Sequence, residues 1–517
     1  MKLTHPERIQ VLAAPPPGSY RKHRRFGALV ATLALGLLVL ALYVAPNAAP
    51  YAVAVVGLGL PAVWLLWRYP EVGLVTLVLL TDTVVPSEMR FPATNIELRD
   101  LMLVGMLALL AVRGLWRRRL TLPWWRVSGP LLAFQAVALF SALYAVTYAD
   151  VAPNLALNEL RTAVYYTSFF IAAWGLVRRK EVQRLLIGLF LVANLTTAVV
   201  FLEQFPRTRD LVSLEATWYL GQQSETPTQL GAWYLAQQSD ATAAFGSLRV
   251  VPPGHVLMYL MATVAFCLLI GNGQSRRVRL LCALELVFLG AGLLLTYTRA
   301  QWLASLTAFA LAFLLLPSAY KKRAVQSAAV VMLGAVCIAG LSLGGIEAQA
   351  NNIPFIGTLA SRAVSVLSPA DTLATDSLSW RLYETQTAVQ SISEHPFVGV
   401  GLGGAYRHVT LFQDVGMGSA DLTRFIHNAY LYIIVKMGFL GLVTFLWFYF
   451  AFLIWGWHDS QALRDGQAQT IAIAVVCAGV GLLQWSLTTP HFFSTESTVI
   501  VGVMVGTVAA TLAMERA

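Results

Sequence analysis

The sequence predicts an all-α, polytopic membrane protein of about 14 transmembrane helices, with a helical extracytoplasmic subdomain in the long loop before the twelfth span. Three observations carry that prediction. Hydrophobic residues make up 57% of the 517-residue chain and charged residues 12%, which is about half the charge of a typical soluble domain. Mean hydropathy is +0.65. Apolar runs of roughly 18 residues or more, each long enough to cross a bilayer as a helix, recur along the chain. Lipid admits helices and closed barrels because both satisfy their own backbone. Barrel strands read as short alternating segments, and these runs are continuous.

The first apolar run begins near Gly27, after Arg21, Lys22, His23, Arg24 and Arg25. It continues to Val44 without a clear small-residue cleavage pattern, and many spans follow. It therefore reads as the first transmembrane helix and not as a removed signal peptide. Hydropathy places the spans at about 27–44, 50–67, 71–86, 100–113, 129–147, 160–177, 185–203, 253–271, 280–297, 300–316, 325–344, 429–455, 469–487 and 495–513. Four regions follow. Residues 1–26 form a cytoplasmic tail, and 27–344 carry spans one to eleven with an outer loop at 204–252. Residues 345–428 form the large extracytoplasmic loop, and 429–517 carry spans twelve to fourteen.

The formal charge of +10 is a topology signal. With the N-terminus inside, the inner segments collect about 24 Lys and Arg against about 6 acids, and the outer segments about 11 against about 19. That is the asymmetry the positive-inside rule predicts, and it puts both termini in the cytoplasm. No nucleic-acid partner is needed to explain the excess. The four cysteines, Cys267, Cys282, Cys337 and Cys477, all fall inside apolar runs and none forms a CxxC pair. They read as buried, inert thiols and exclude a cysteine-zinc site.

The two outer loops are long enough to carry function, and their aromatic and aliphatic content argues for order. In the first, Trp218-Tyr219-Leu220-Gly221-Gln222-Gln223-Ser224-Glu225 recurs as Trp233-Tyr234-Leu235-Ala236-Gln237-Gln238-Ser239-Asp240, with Pro227 between them. Two readings stand: interfacial segments with Trp and Tyr at headgroup level, or an aromatic and amide surface that stacks on sugar rings.

Ionisable residues in or at the mouths of spans are costly and so mark candidate sites. Arg299, in Thr296-Tyr297-Thr298-Arg299, sits at an outer junction between two apolar runs. It suits bidentate contact with phosphate, or snorkels to the interface. Arg249, before Pro252-Pro253-Gly254, and Arg161, two residues after Glu159, stand at other outer mouths. The three form one anion site if the fold joins them; a Glu159–Arg161 surface contact is the alternative for Arg161. Glu285 and Lys436 lie inside spans nine and twelve, as a buried ion pair, a proton path, or separate interface residues. The densest polar cluster closes the second loop: Asp376-Ser377-Leu378-Ser379-Trp380-Arg381, then Glu394-His395-Pro396-Phe397-Val398-Gly399-Val400-Gly401-Leu402-Gly403-Gly404, then Arg424-Phe425-Ile426-His427-Asn428-Ala429-Tyr430. Its glycines lack the Lys-Ser/Thr of a nucleotide loop and read as a tight turn. His427 stands where a loop enters an outer helix end. An imidazole with an ordinary pKa of about 6.5 can accept a proton there, or it is a helix-start residue that bonds backbone groups.

At these residues the sequence resembles a known family. HPFVGVGLGG followed by HNAYLYIIVKMGFLGLVTFL, with TYTRAQWL and WRLYETQTAVQSISEHPFVGVG, is similar to the signature of the O-antigen ligase and O-antigen polymerase superfamily. The close resemblance lies mainly in 290–305 and 378–445. It implies a metal-independent membrane glycosyltransferase with no cofactor, in the bacterial inner (cytoplasmic) membrane. The donor would be a glycan on undecaprenyl diphosphate, presented at the outer face. The acceptor would be lipid A–core for a ligase or a second lipid-linked glycan for a polymerase. A chain-length regulator protein is a candidate partner. By match to the motif, His427 would activate the acceptor hydroxyl and Arg299 would bind the diphosphate; Arg249 and Arg161 align more loosely as phosphate partners. Arg381, Arg424 and Tyr430 are supporting candidates. The family often has an acidic residue where this chain has Lys436, which weakens any role carried over to that position.

Polymerase and ligase are nearly balanced, with a slight lean to polymerase from the two long outer loops and the span count. The competing readings are a transporter or flippase of lipid-linked glycans, and a non-enzymatic scaffold. No half-to-half similarity of the kind transporters show is evident.

Overall fold

The computed structural model describes residues 64–82, 97–116, 125–203, 252, 254–271, 274–296, 298–315, 322, 376–407 and 423–516. Among the described residues thirteen α-helices carry the fold: α1 (Pro70–Asp82), α2 (Leu98–Trp116), α3 (Ser128–Tyr148), α4 (Pro153–Val164), α5 (Ser168–Gly175), α6 (Arg179–Glu203), α7 (His255–Ile270), α8 (Arg276–Leu295), α9 (Arg299–Leu315), α10 (Asp376–Glu394), α11 (Ala429–Ser460), α12 (Gly466–Trp485) and α13 (Thr495–Arg516). Six of these (α3, α6, α8, α11, α12 and α13) are long and apolar enough to cross a membrane. α7 and α9 are shorter apolar helices.

The fold class is thus all-helical and multi-pass. The count of 14 is not reached: predicted spans one and eleven, and nearly all of span two, lie outside the described residues. So do Arg249, Cys337, the Trp218 and Trp233 repeat, and 345–375 of the large loop. Two helices differ from their predicted spans. The sixth begins earlier, at Pro153, and tightens into a 3-10 turn at Tyr165–Thr167 between α4 and α5. The twelfth runs on to Ser460 and contains a break.

Packing follows the small residues. α13 lies against α5, α12 against α9 and α7, and α11 against α3. On α13, Gly502 and Gly506 occupy a G-x-x-x-G spacing; a Cβ on either would run into the backbone or side chain of Ser168 and Phe169 on α5. Small residues at such a seam let two helices approach closely where lipid offers no hydrophobic drive. Cys267, Cys282 and Cys477 are free and buried in helices, as expected.

Polar contacts tie each end of the bundle. At one end Trp125 donates to Asp459 at 3.1 Å and Arg179 pairs with Asp465 at 2.7 Å. At the other, the amide of Ala429 at the start of α11 donates to Ser486 just past α12 at 2.9 Å. This second end, which the sequence predicts to face outward, carries α10 and the candidate site.

Candidate active site at one end of the helix bundle

His427 directly precedes the helix cap of α11. Asn428 is that cap, its side-chain oxygen accepting from the amides of Tyr430 at 2.9 Å and Leu431 at 3.1 Å. Such a cap satisfies orphan donors and fixes the direction from which the chain enters the helix. His427 is thereby held at the bundle's mouth with its side chain 29% exposed. Its Nδ1 lies 2.7 Å from Glu384 Oε2, and its backbone N–H donates to the same oxygen at 3.2 Å. The ring stands edge-on to Phe425 at 4.9 Å.

Glu384 comes from α10, on the face that turns inward with Ala388 and Ser391, and is only 2% exposed. Its second oxygen faces Arg407, with Nη2 to Oε1 at 3.4 Å. Burial alone would raise the Glu384 carboxyl. The hydrogen bonds and charge of His427, with the charge of Arg407, outweigh it and hold the group below its ordinary value, so it stays ionised.

One turn earlier on α10 stands Arg381. Burial first, and the like charge of Arg299 as well, press its guanidinium below the ordinary arginine value against the pull of Glu384. Arg299 is therefore close enough for its charge to act on Arg381. It is the first residue of α9, where helix amides add a partial positive charge. The Nε of Arg381 is buried and has no hydrogen-bond acceptor among the described residues. A buried N–H with no acceptor is a donor that an anionic ligand oxygen could satisfy.

The other candidates are placed differently. Arg161 makes its charged contacts with Glu97 at 2.7 Å and Asp100 at 3.1 Å, in a network on α2 and α4 that includes Arg99 and Tyr165. The Glu159–Arg161 alternative is not what is seen, because Glu159 pairs with Lys436. Arg424 donates its Nε to Gly403 O at 2.8 Å, and Tyr430 donates its hydroxyl to Leu483 O at 2.8 Å. Both tie segments together. Arg249 lies outside the described residues. His255 and His491 are buried against Trp485.

Lys436 and Glu285 do not pair with each other. Glu285 accepts from Asn194 at 3.0 Å. Lys436 is fully buried and donates to Glu159 at 2.9 Å and to Gly404 O at 2.6 Å. Its surroundings explain the glycine run. Inside α11, Gly438 leaves the helix with φ 66° and ψ −171°, and a Cβ there would collide with the backbone of Phe397. The freed carbonyls of Val435 and Lys436 accept from the amides of Val400 at 2.8 Å and Gly401 at 3.1 Å, while Phe439 N donates to Pro396 O at 2.8 Å. Residues 396–404 are thus a strap docked across a broken helix. Gly399, Gly401 and Gly403 take φ of 73°, 86° and 80°, so the strap lies flat on its neighbours where a side chain would not fit. The expectation of a simple tight turn is corrected: the strap couples the C-terminal end of α10 to the helix that begins beside His427.

Sequence reasoning missed Glu384 and Arg407. A signal for the first was present, since Glu384 follows Arg381 at a spacing of three, the spacing that puts two side chains on one helix face. Among the described residues no group of three or more His, Cys, Asp or Glu is arranged to hold a metal ion. No curated protein matches the chain. Residues 284–446, which include Arg299, Arg381, Glu384, Arg407 and His427, match the family described as O-Antigen ligase, and the match supports the chain's place in the O-antigen ligase and polymerase superfamily.

Proposed function

We propose that the protein is a glycosyltransferase that moves a glycan from undecaprenyl diphosphate to an acceptor hydroxyl on the outer face of the bacterial inner membrane. The observation that carries this reading is a histidine held by a buried carboxylate, one helical turn from Arg381, whose buried Nε has no acceptor among the described residues. The acceptor O–H gives its proton to His427. Its oxygen bonds to the anomeric carbon of the donor glycan. The bond from that carbon to the diphosphate breaks, and the electron pair leaves on the phosphate oxygen. Arg299 and Arg381 stabilise that growing charge, and fixed donors do so most effectively where they are already in place. The acceptor is a second lipid-linked glycan in a polymerase or lipid A–core in a ligase. The two long outer loops lean slightly towards polymerase. A chain-length regulator would then act on this site from outside the chain.

The test is direct. Purified protein in lipid nanodiscs is supplied with undecaprenyl-diphosphate glycans, with and without lipid A–core. Longer lipid-linked chains identify a polymerase, and a glycosylated core identifies a ligase. Lipid-linked glycan that crosses liposomes without a new glycosidic bond would favour the transporter reading instead. Arg299→Ala and Arg381→Ala are each expected to lower transfer by about 10²–10³-fold, the effect of losing one preorganised donor at a developing charge. Their combined loss is expected to fall short of the product because they share one anion. Because guanidinium groups supply the charge in this reading, transfer should persist in EDTA. Loss in EDTA with recovery on adding a divalent cation would refute metal independence.

A further inference from the structure

We infer that Glu384 is the positioning residue for His427: it fixes which ring nitrogen carries the proton, and so leaves the other nitrogen to take the acceptor's. The inference rests on the transferase reading for its consequence, and on geometry for its contact.

Three features make the Glu384 contact specific. One carboxylate oxygen receives both the Nδ1 side of the ring and the backbone N–H of His427, so the residue is gripped at two points and the ring orientation follows from the backbone. The opposite oxygen faces Arg407, whose Nη2 also donates to Phe425 O at 3.4 Å. That fixes the carboxylate from behind and ties it to the segment leading into His427. Glu384 is also buried and ionised. An ionised carboxylate can only accept, so Nδ1 must carry the hydrogen, and in the neutral ring Nε2 has the free lone pair. A carboxylate in this position both sets the tautomer and stabilises the imidazolium that forms when Nε2 is protonated. The residue pair is 43 positions apart in sequence. The strap, pinned across the break at Gly438, holds their two helices in register.

The same helix carries Arg381 one turn before Glu384, where the charge of Arg299 reaches it. One element therefore sets the base and half of the anion site, and a shift of α10 would disturb both together. This separates Glu384 from a mere tether. A tether could be replaced by any group that packs, but a tautomer-setting carboxylate could not.

Two variants divide orientation from charge. Glu384→Gln keeps an acceptor oxygen for Nδ1 and loses the charge. Glu384→Leu keeps the bulk and loses both. In glycan transfer, kcat is expected to fall by about 10²-fold in E384Q and further, towards about 10⁴-fold, in E384L. KM for the lipid-linked donor should stay within about twofold in E384Q, because the donor's diphosphate meets Arg299 and Arg381. A readout independent of activity is the ¹⁵N spectrum of histidine-labelled protein, with the His427 signal identified by its loss in His427→Asn. The proton is expected on Nδ1 in wild type and E384Q, and distributed over both nitrogens in E384L. If that shift occurs while wild type transfers no glycan, the positioning contact stands and the transferase reading fails alone. If wild type is active and a folded E384L keeps both its kcat and the proton on Nδ1, the positioning role is overturned. A wild-type spectrum with the proton on Nε2 overturns it equally.

Discussion

Replacing His427 with alanine is expected to lower glycan transfer by about 10²–10⁴-fold, the range for losing a positioned general base. The fold should survive. Asn428, not His427, caps α11, and the backbone N–H that donates to Glu384 remains after truncation. Helical circular dichroism and the melting temperature should therefore match wild type while turnover collapses. KM for the lipid donor should change little, since the proposed mechanism sets His427 against the acceptor. A variant that folds and retains full turnover would remove His427 from the mechanism; His255 and His491 are buried against Trp485.

Replacing Lys436 with methionine is expected to cost about 3–5 kcal/mol, the range for leaving one member of a buried ion pair without its partner. Lys436 is wholly buried, and when the ammonium is gone Glu159 keeps only neutral partners, the amide of Gly403 and the hydroxyl of Tyr432. The loss should appear as a lower midpoint of denaturation. It should also reach the site, because Gly404 O loses its donor at the end of the strap that holds α10 to α11. Adding Glu159→Gln to Lys436→Met should restore much of the stability, since two neutral side chains leave no uncompensated charge. Additive destabilisation in the double variant would show that the pair is not coupled.

The helices were legible one segment at a time because each apolar run carries its own reason to exist. α3, α6, α8, α11, α12 and α13 each combine length with low charge, and lipid turns that into a helix without reference to the rest of the chain. Arg299 and His427 were legible for a similar reason: each is polar where an apolar run begins, so position alone made it conspicuous. The break at Gly438 was not. It lies within an apolar run, and hydropathy carries no information about φ. The alternating Gly399, Gly401 and Gly403 were the available hint, because glycine at every second position lets backbone lie on backbone.

The tertiary structure decided the pairings. Glu384 finds His427 across 43 residues, and Lys436 finds Glu159 across 277. Arg161, placed by the sequence with the phosphate ligands, turns to Glu97 and Asp100. Charges inside or beside a membrane choose partners by proximity after the helices have assembled, because burying any of them alone costs more than the helix could supply. Sequence therefore determined the helices that cross and the polar residues at their mouths. Assembly determined which carboxylate meets which cation.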